Sequence, residues 1–146
     1  MAVKEINPQE AHDLLKAGTG WVYIDVRTVA EFSAGHPESA VNIPVAIPDP
    51  GRGMALNENF TQVVQAHFPK ESNLLLGCQA GPRSNAAARM LEQAGYQNIC
   101  NVVGGFGGMR DSSGKVIAPG WSTLGLPVSQ DNGENVSYES LAAKAK

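Results

Sequence analysis

The stretch LLLGCQAGPRSNAAARMLEQAG, Leu74–Gly95, passes from three leucines through a glycine and a cysteine into a helical pattern. Leu74–Leu76 reads as a short strand, and the residues after Pro82 place Ala86, Ala87, Met90, Leu91 and Ala94 on one helix face, with Arg89, Glu92 and Gln93 facing away. Gly95 is well placed as the C-terminal cap. A strand that leads into a helix is the repeating step of a parallel α/β sheet, and the rest of the chain follows the same alternation.

Upstream, Asn7, Pro8 and Glu10 form a helix-start signature: a capping side chain, a proline at the first helical position and an acid that can reach back. That helix carries Ala11, Leu14 and Leu15 inward and ends near Gly18. WVYIDV, Trp21–Val26, has the β-branched and aromatic content of a buried strand, and TVAEFSAG reads as a short helix closed by Gly35. AVNIP, Ala40–Pro44, is a further brief strand, and PDPGRG, Pro48–Gly53, is loop by composition. Phe60, Val63, Val64 and Phe68 recur at helical spacing until Pro69 stops them, and ICNVV, Ile99–Val103, is a last strand before the glycine-rich GGFGGM. The expected fold is α/β, a mainly parallel central sheet with helices on both faces. Arg110–Val128 lacks a period and reads as a surface excursion, and 129–146 as a polar C-terminal tail, mobile or forming a marginal terminal helix.

At 146 residues and 42% hydrophobic content the chain can bury one sizeable core. A net charge of −3 provides no basic stripe for a phosphate backbone, so nucleic acid is not an expected partner. The N-terminal stretch runs into a helix-starting pattern without a long apolar segment, and no run approaches bilayer length, so neither a secretory signal nor a membrane span is expected. Two cysteines, Cys78 and Cys100, make no disulfide framework, which fits a reducing, cytoplasmic setting.

Cys78 stands where ligands bind in open parallel sheets, at the carboxyl end of a strand before a helix. Backbone N–H groups at a helix start lack carbonyl partners, and the dipole adds roughly half a positive charge there. Both favour a thiolate, as does a nearby arginine, here Arg83. Gly81 and Ala80 allow the backbone to bend closely, and Pro82 sets the turn as the helix begins. Asp25 and Arg27 end the strand from Trp21, so they fall on the same sheet edge as Cys78, to brace its loop or help bind an anion. Cys100, inside a strand, reads as core packing, and His12 and His67 as solvated. No histidines and cysteines stand at zinc-ligand spacing, so no metal is expected.

CQAGPRS resembles the C-x-x-G-x-R-S active loop of the rhodanese family of single-domain sulfurtransferases. Three more motifs follow that family's order: IDVRTVAEFSAGH (Ile24–His36), AVNIP and VVGGF (Val102–Phe106). The resemblance spans roughly Val3–Met109 and resumes at Gly125–Val128, and it implies a rhodanese-like domain over 1–128. It implies a thiosulfate sulfurtransferase in which the Cys78 thiolate takes sulfane sulfur from a donor such as thiosulfate, holds it as a persulfide and passes it to cyanide, a thiol or a protein acceptor. No cofactor is needed. Gln79, Ala80, Gly81, Pro82, Arg83, Ser84 and Arg27 would bind substrate, with Asp25 in support, while Glu31 and His36 read as structural, fixing the loop before AVNIP, with acid–base work the alternative for His36.

Three departures stand out. Gln79 replaces the basic residue of many efficient thiosulfate users, GHPESA replaces GHIPGA, and Met109 stands where a tryptophan is common, a place Trp121 could fill. Two alternatives use the same loop. One is a carrier or interaction module that delivers the persulfide to a dedicated partner protein. The other is a cysteine-dependent phosphatase, disfavoured because the cysteine-to-arginine spacing is one residue short of H-C-x5-R and Gly77 precedes the cysteine.

Overall fold

In the computed structural model, which describes residues 3–80 and 82–145, Leu74–Leu76 lie in the middle strand of a five-stranded parallel sheet. The strands are β1 (Lys4–Ile6), β2 (Trp21–Asp25), β3 (His36–Pro37), β4 (Val41–Asn42), β5 (Ala46–Asp49), β6 (Gly53–Leu56), β7 (Asn73–Gly77), β8 (Asn98–Val102), β9 (Met109–Arg110), β10 (Val116–Ala118) and β11 (Val128–Ser129). The helices are α1 (Pro8–Lys16), α2 (Val29–Ala34), α3 (Phe60–His67), α4 (Pro82–Gln93) and α5 (Tyr138–Lys144). The main sheet runs β1-β8-β7-β2-β4, all parallel, as expected for strands joined by helical crossovers.

Alternation along β7 divides the core in two. Leu74 and Leu76 join Ile24 and Ile99 beneath α3, α4 and α5, while Leu75 joins Tyr23 and Cys100 beneath α1, α2 and Trp121. All three leucines are fully buried, each contributing about 1.5–3 kcal/mol relative to exposure. The helix starts follow from their sequences. Asn7 and Glu10 form the expected capping box on α1, and Thr28 with Glu31 forms a second on α2, which ends at Gly35 with φ +156°.

The structure adds elements the periodicity did not indicate. Lys4–Ile6 forms an edge strand, and half of Pro48–Gly53, expected as loop, lies in the strands of the β5–β6 hairpin, with Pro50–Arg52 as its turn. Residues 129–145 of the expected tail pack against the domain: Leu141 is buried, Asn57 Nδ2 donates to the Tyr138 hydroxyl (3.0 Å), and β11 pairs with β3. One buried leucine in a polar segment is too weak a signal for that docking to be read from sequence. No helix among the described residues is long and apolar enough to cross a membrane.

Candidate active site

Cys78 follows directly on β7 and is buried, 1% exposed, at the sheet's carboxyl edge. Asp25, the end of β2, stands in register with Gly77. Gly77 has no substitute here, since a Cβ would sit 1.8 Å from the hydroxyl oxygen of the buried Tyr23. Burial, reinforced by the Asp25 charge, raises the Tyr23 phenol well above its usual range, so it stays protonated.

The cysteine loop rests on the glycine-rich turn after β8. Phe106 N–H donates to the Cys78 carbonyl (2.8 Å), and Gly107 N–H to the Gln79 carbonyl (2.9 Å). Carbonyl and amide point to opposite sides of a trans peptide, so the amides of Gln79 and Ala80 face away from that turn. A Cβ on Gly105 would lie 2.1 Å from the Cys78 oxygen, so the close approach requires glycine there. A third layer backs the second. Trp121 N–H and Ser122 N–H donate to the carbonyls of Gly105 and Phe106, and Trp121 is fully buried with its indole N–H on the Pro127 carbonyl (2.6 Å). The Arg110–Val128 segment therefore returns from the surface to support the turn under Cys78.

Two arginines flank the loop, each held by a carboxylate. Arg27 is buried and grips Asp25 through Nε (3.0 and 3.1 Å) and Nη2 (2.8 Å). Its Nη2 also donates to the Gly35 carbonyl (2.6 Å), Nη1 donates to Gln79 Oε1 (3.2 Å), and the guanidinium stacks 4.4 Å from the Phe106 ring centre. Asn42 Nδ2 donates to the Asp25 and Arg27 carbonyls, both at 3.0 Å, and fixes the turn between them. Arg83, in the first turn of α4, places both terminal nitrogens on Glu31 (2.7 and 3.0 Å). The hydrogen bond from Arg83 holds the Glu31 carboxyl down at about 2, and Glu31 in turn raises the guanidinium.

Of the other expected site residues, Gln79 is exposed and Ala80 half-buried beside Cys78, and Pro82 is exposed at the start of α4. Ser84 is buried, its hydroxyl donating to Asn101 Oδ1 (2.6 Å), so its side chain ties α4 to β8. Gly81 lies outside the described residues. The sequence pattern did not reveal the Gly105 and Gly107 contacts, the Asn42 clamp or the Phe106 stack. The paired glycines of GGFGG were the available signal. His36 is enclosed, stacked 3.6 Å on Phe32 with Nδ1 and Nε2 against the carbonyls of Pro37 (3.0 Å) and Asp131 (2.7 Å).

Cys78 and Cys100 are not joined in a disulfide, and they belong to cores on opposite faces of the sheet. Burial pushes the Cys100 thiol up, away from the reactive form. Contrary to the expectation of solvated side chains, His67 Nε2 meets the Leu141 carbonyl (2.7 Å) and His12 packs edge-on to Trp121. The sequence shows the two helices that carry them but not the later segments, Trp121 and α5, that pack on them. Among the described residues no group of three or more His, Cys, Asp or Glu could hold a metal ion. A groove of about 360 Å3 opens beside the loop, lined by Arg27, Glu31, Ala34, Gly35, Gln79 and Phe106 among others.

Comparison with known proteins agrees with this geometry. The family described as the Rhodanese-like domain is matched over residues 7–111. Thiosulfate sulfurtransferase 16, chloroplastic, of Arabidopsis thaliana is 38% identical over 80% of this chain and 85% of its own length. The senescence-associated protein DIN1 of Raphanus sativus is 39% identical over 62% of this chain, which spans about half (49%) of that relative. The crystal structure of Rv0390 from M. tuberculosis superposes with a TM-score of 0.74 at 30% identity, covering 90% of this chain and all (100%) of the other.

Proposed function

The chain belongs to the rhodanese-like domain family, and from that premise we propose that it is a sulfurtransferase carrying sulfane sulfur as a persulfide on Cys78. The observation that supports this most is the orientation of the loop: the Cys78 and Gln79 carbonyls are turned down onto the 104–107 turn, which leaves the Gln79 and Ala80 amides on the opposite side. A ring of backbone N–H groups around a buried cysteine suits a single anionic sulfur and requires no metal.

The Cys78 thiolate attacks the outer sulfur of the donor. With thiosulfate, a sulfur–sulfur bond forms to Cys78, the donor's own breaks, and sulfite leaves with the electron pair. The amides of Gln79 and Ala80, with those of Arg83 and Ser84 at the start of α4, hold the terminal sulfur until a thiol, cyanide or a protein acceptor attacks it, which restores the thiolate. Arg27 is a positioning residue here, holding the Gln79 side chain while Asp25 fixes Arg27 itself. Arg83 ties the start of α4 to α2 through Glu31 and keeps its positive charge near the thiolate.

Intact mass of wild type and Cys78→Ser after exposure to sulfur donors tests this. Wild type alone should gain one sulfur, removable by a reductant, which distinguishes a persulfide from a sulfinic acid of nearly equal mass. Failure of every donor to load wild type would remove sulfur transfer as the function.

A further inference from the structure

We propose that the groove beside Cys78 takes a low-molecular-weight organic persulfide with an uncharged organic part, in preference to thiosulfate, and that Gln79 sets this preference. The proposal rests on the sulfurtransferase reading above and names the donor class for the same site.

Charge compensation at the mouth carries it. Arg27 is the cation lining the groove, and its charge is met by Asp25 at 2.8 Å, with its remaining contacts on the Gly35 carbonyl, Gln79 Oε1 and the Phe106 face. Glu31 is the anion lining the groove, and Arg83 meets it at 2.7 Å. Held down at about 2, the Glu31 carboxyl stays ionised at neutral pH, so this second pair is also neutral in sum. A dianion entering such a groove loses hydration and finds no uncompensated charge among the described lining residues.

The rest of the lining points the same way. Ala34, Phe106 and Val128 offer apolar surface, and about 360 Å3 is the scale of a small organic ligand, most of which a small inorganic dianion would leave empty. Gln79 is the residue of this mouth that next touches Cys78 in sequence, and its amide is pinned between the Arg27 guanidinium and Gly107, where a Cβ would lie 1.9 Å from Gln79 Nε2. A neutral amide thus stands where a cation would recruit an anionic donor.

The step balances without an added oxidant. The Cys78 thiolate attacks the terminal sulfur of R–S–SH, the new sulfur–sulfur bond forms as the old one breaks, and the electron pair leaves with RS−. The proton stays on the transferred sulfur, now on Cys78.

The test compares the rate of sulfur addition to Cys78, by intact mass, from thiosulfate and from the persulfide of 2-mercaptoethanol at equal concentration. Wild type should load from the persulfide at least about tenfold faster, the worth of roughly one charge contact. Gln79→Lys should shift the persulfide-to-thiosulfate ratio about tenfold toward thiosulfate, and Ala34→Trp, at an exposed position facing into the groove, should lower it by obstructing the organic part. A melting temperature near wild type shows that each variant is folded. Equal or faster loading of wild type from thiosulfate, or an unchanged ratio in both variants, would overturn the donor class while leaving sulfur transfer intact. Loading from neither donor would instead remove the sulfurtransferase reading on which it rests.

Discussion

Arg27–Asp25 and Arg83–Glu31 are the same chemical pair on two sides of one loop, and they differ in depth. The first is nearly sealed, with side chains 3% and 2% exposed, whereas the second is open, at 29% and 33%. A buried guanidinium is maintained only by a full set of acceptors, and Arg27 has them in Asp25, the Gly35 carbonyl and Gln79. Its geometry is therefore fixed, and it fixes what it touches. Arg83 faces water, which competes with Glu31 for the same hydrogen bonds, so that pair contributes orientation and local charge more than stability. Similar distances thus correspond to different roles: one pair is part of the framework under the loop, the other a tether at its rim.

The sharpest way to break that contrast is to remove each arginine. Arg27→Ala leaves the Asp25 carboxylate buried without its cation, which should cost about 3–5 kcal/mol and lower the melting temperature by roughly 10–20 °C. Arg83→Ala should cost about 1 kcal/mol or less. Thermal denaturation of the two variants decides the matter, and equal losses would show that depth does not separate the pairs.

A smaller effect sharpens the contrast on the loop itself. Gly105 has φ +53° and lies under the Cys78 carbonyl, so Gly105→Ala must displace backbone and should cost roughly 2–3 kcal/mol along with most of the sulfur loading. Gly107→Ala meets only the flexible end of the Gln79 side chain. It should cost less than about 1 kcal/mol yet release Gln79 from Arg27. Melting curves and loading rates measured together separate a framework glycine from one that only seats a side chain. Large destabilisation by both would mean that Gln79 cannot move.

How far these features were legible in the sequence depended on how locally they are encoded. The strand-to-helix step at Cys78, the adjacency of Asp25 and Arg27 to it, and the alternating helices follow from short patterns, and the parallel sheet with helices on both faces agrees with them. The Arg83–Glu31 pair joins residues 52 positions apart, and the motif placed both residues without indicating that they meet. Trp121 lies in a segment with no period, so nothing local shows that it is fully buried beneath α1 and supports the 104–107 turn. The edge strand β1 has one inward residue, Ile6, after the exposed Lys4 and Glu5, a pattern too short for strand alternation to register.

The smallest effect isolates the outer pair's charge. Glu31 serves two partners, accepting from the Thr28 N–H (3.1 Å) as part of the α2 capping box and from Arg83. Glu31→Gln can keep the reach back to Thr28 while discarding the charge, since either residue closes a capping box. The carboxyl is lowered from 4.5 to about 2 in the folded chain, chiefly by the Arg83 hydrogen bond, so it binds fewer protons folded than unfolded. Its stabilisation is then fully present above about 4.5 and is lost as the pH falls from there toward 2. Because the pair is about a third exposed, solvent screening limits that contribution to about 1 kcal/mol or less. Wild type should therefore melt slightly above Glu31→Gln at pH 7, and the gap should close between pH 4.5 and 2. A gap that persists at the acid end would assign the effect to the cap, and one several times larger would mean that the rim pair belongs to the framework after all.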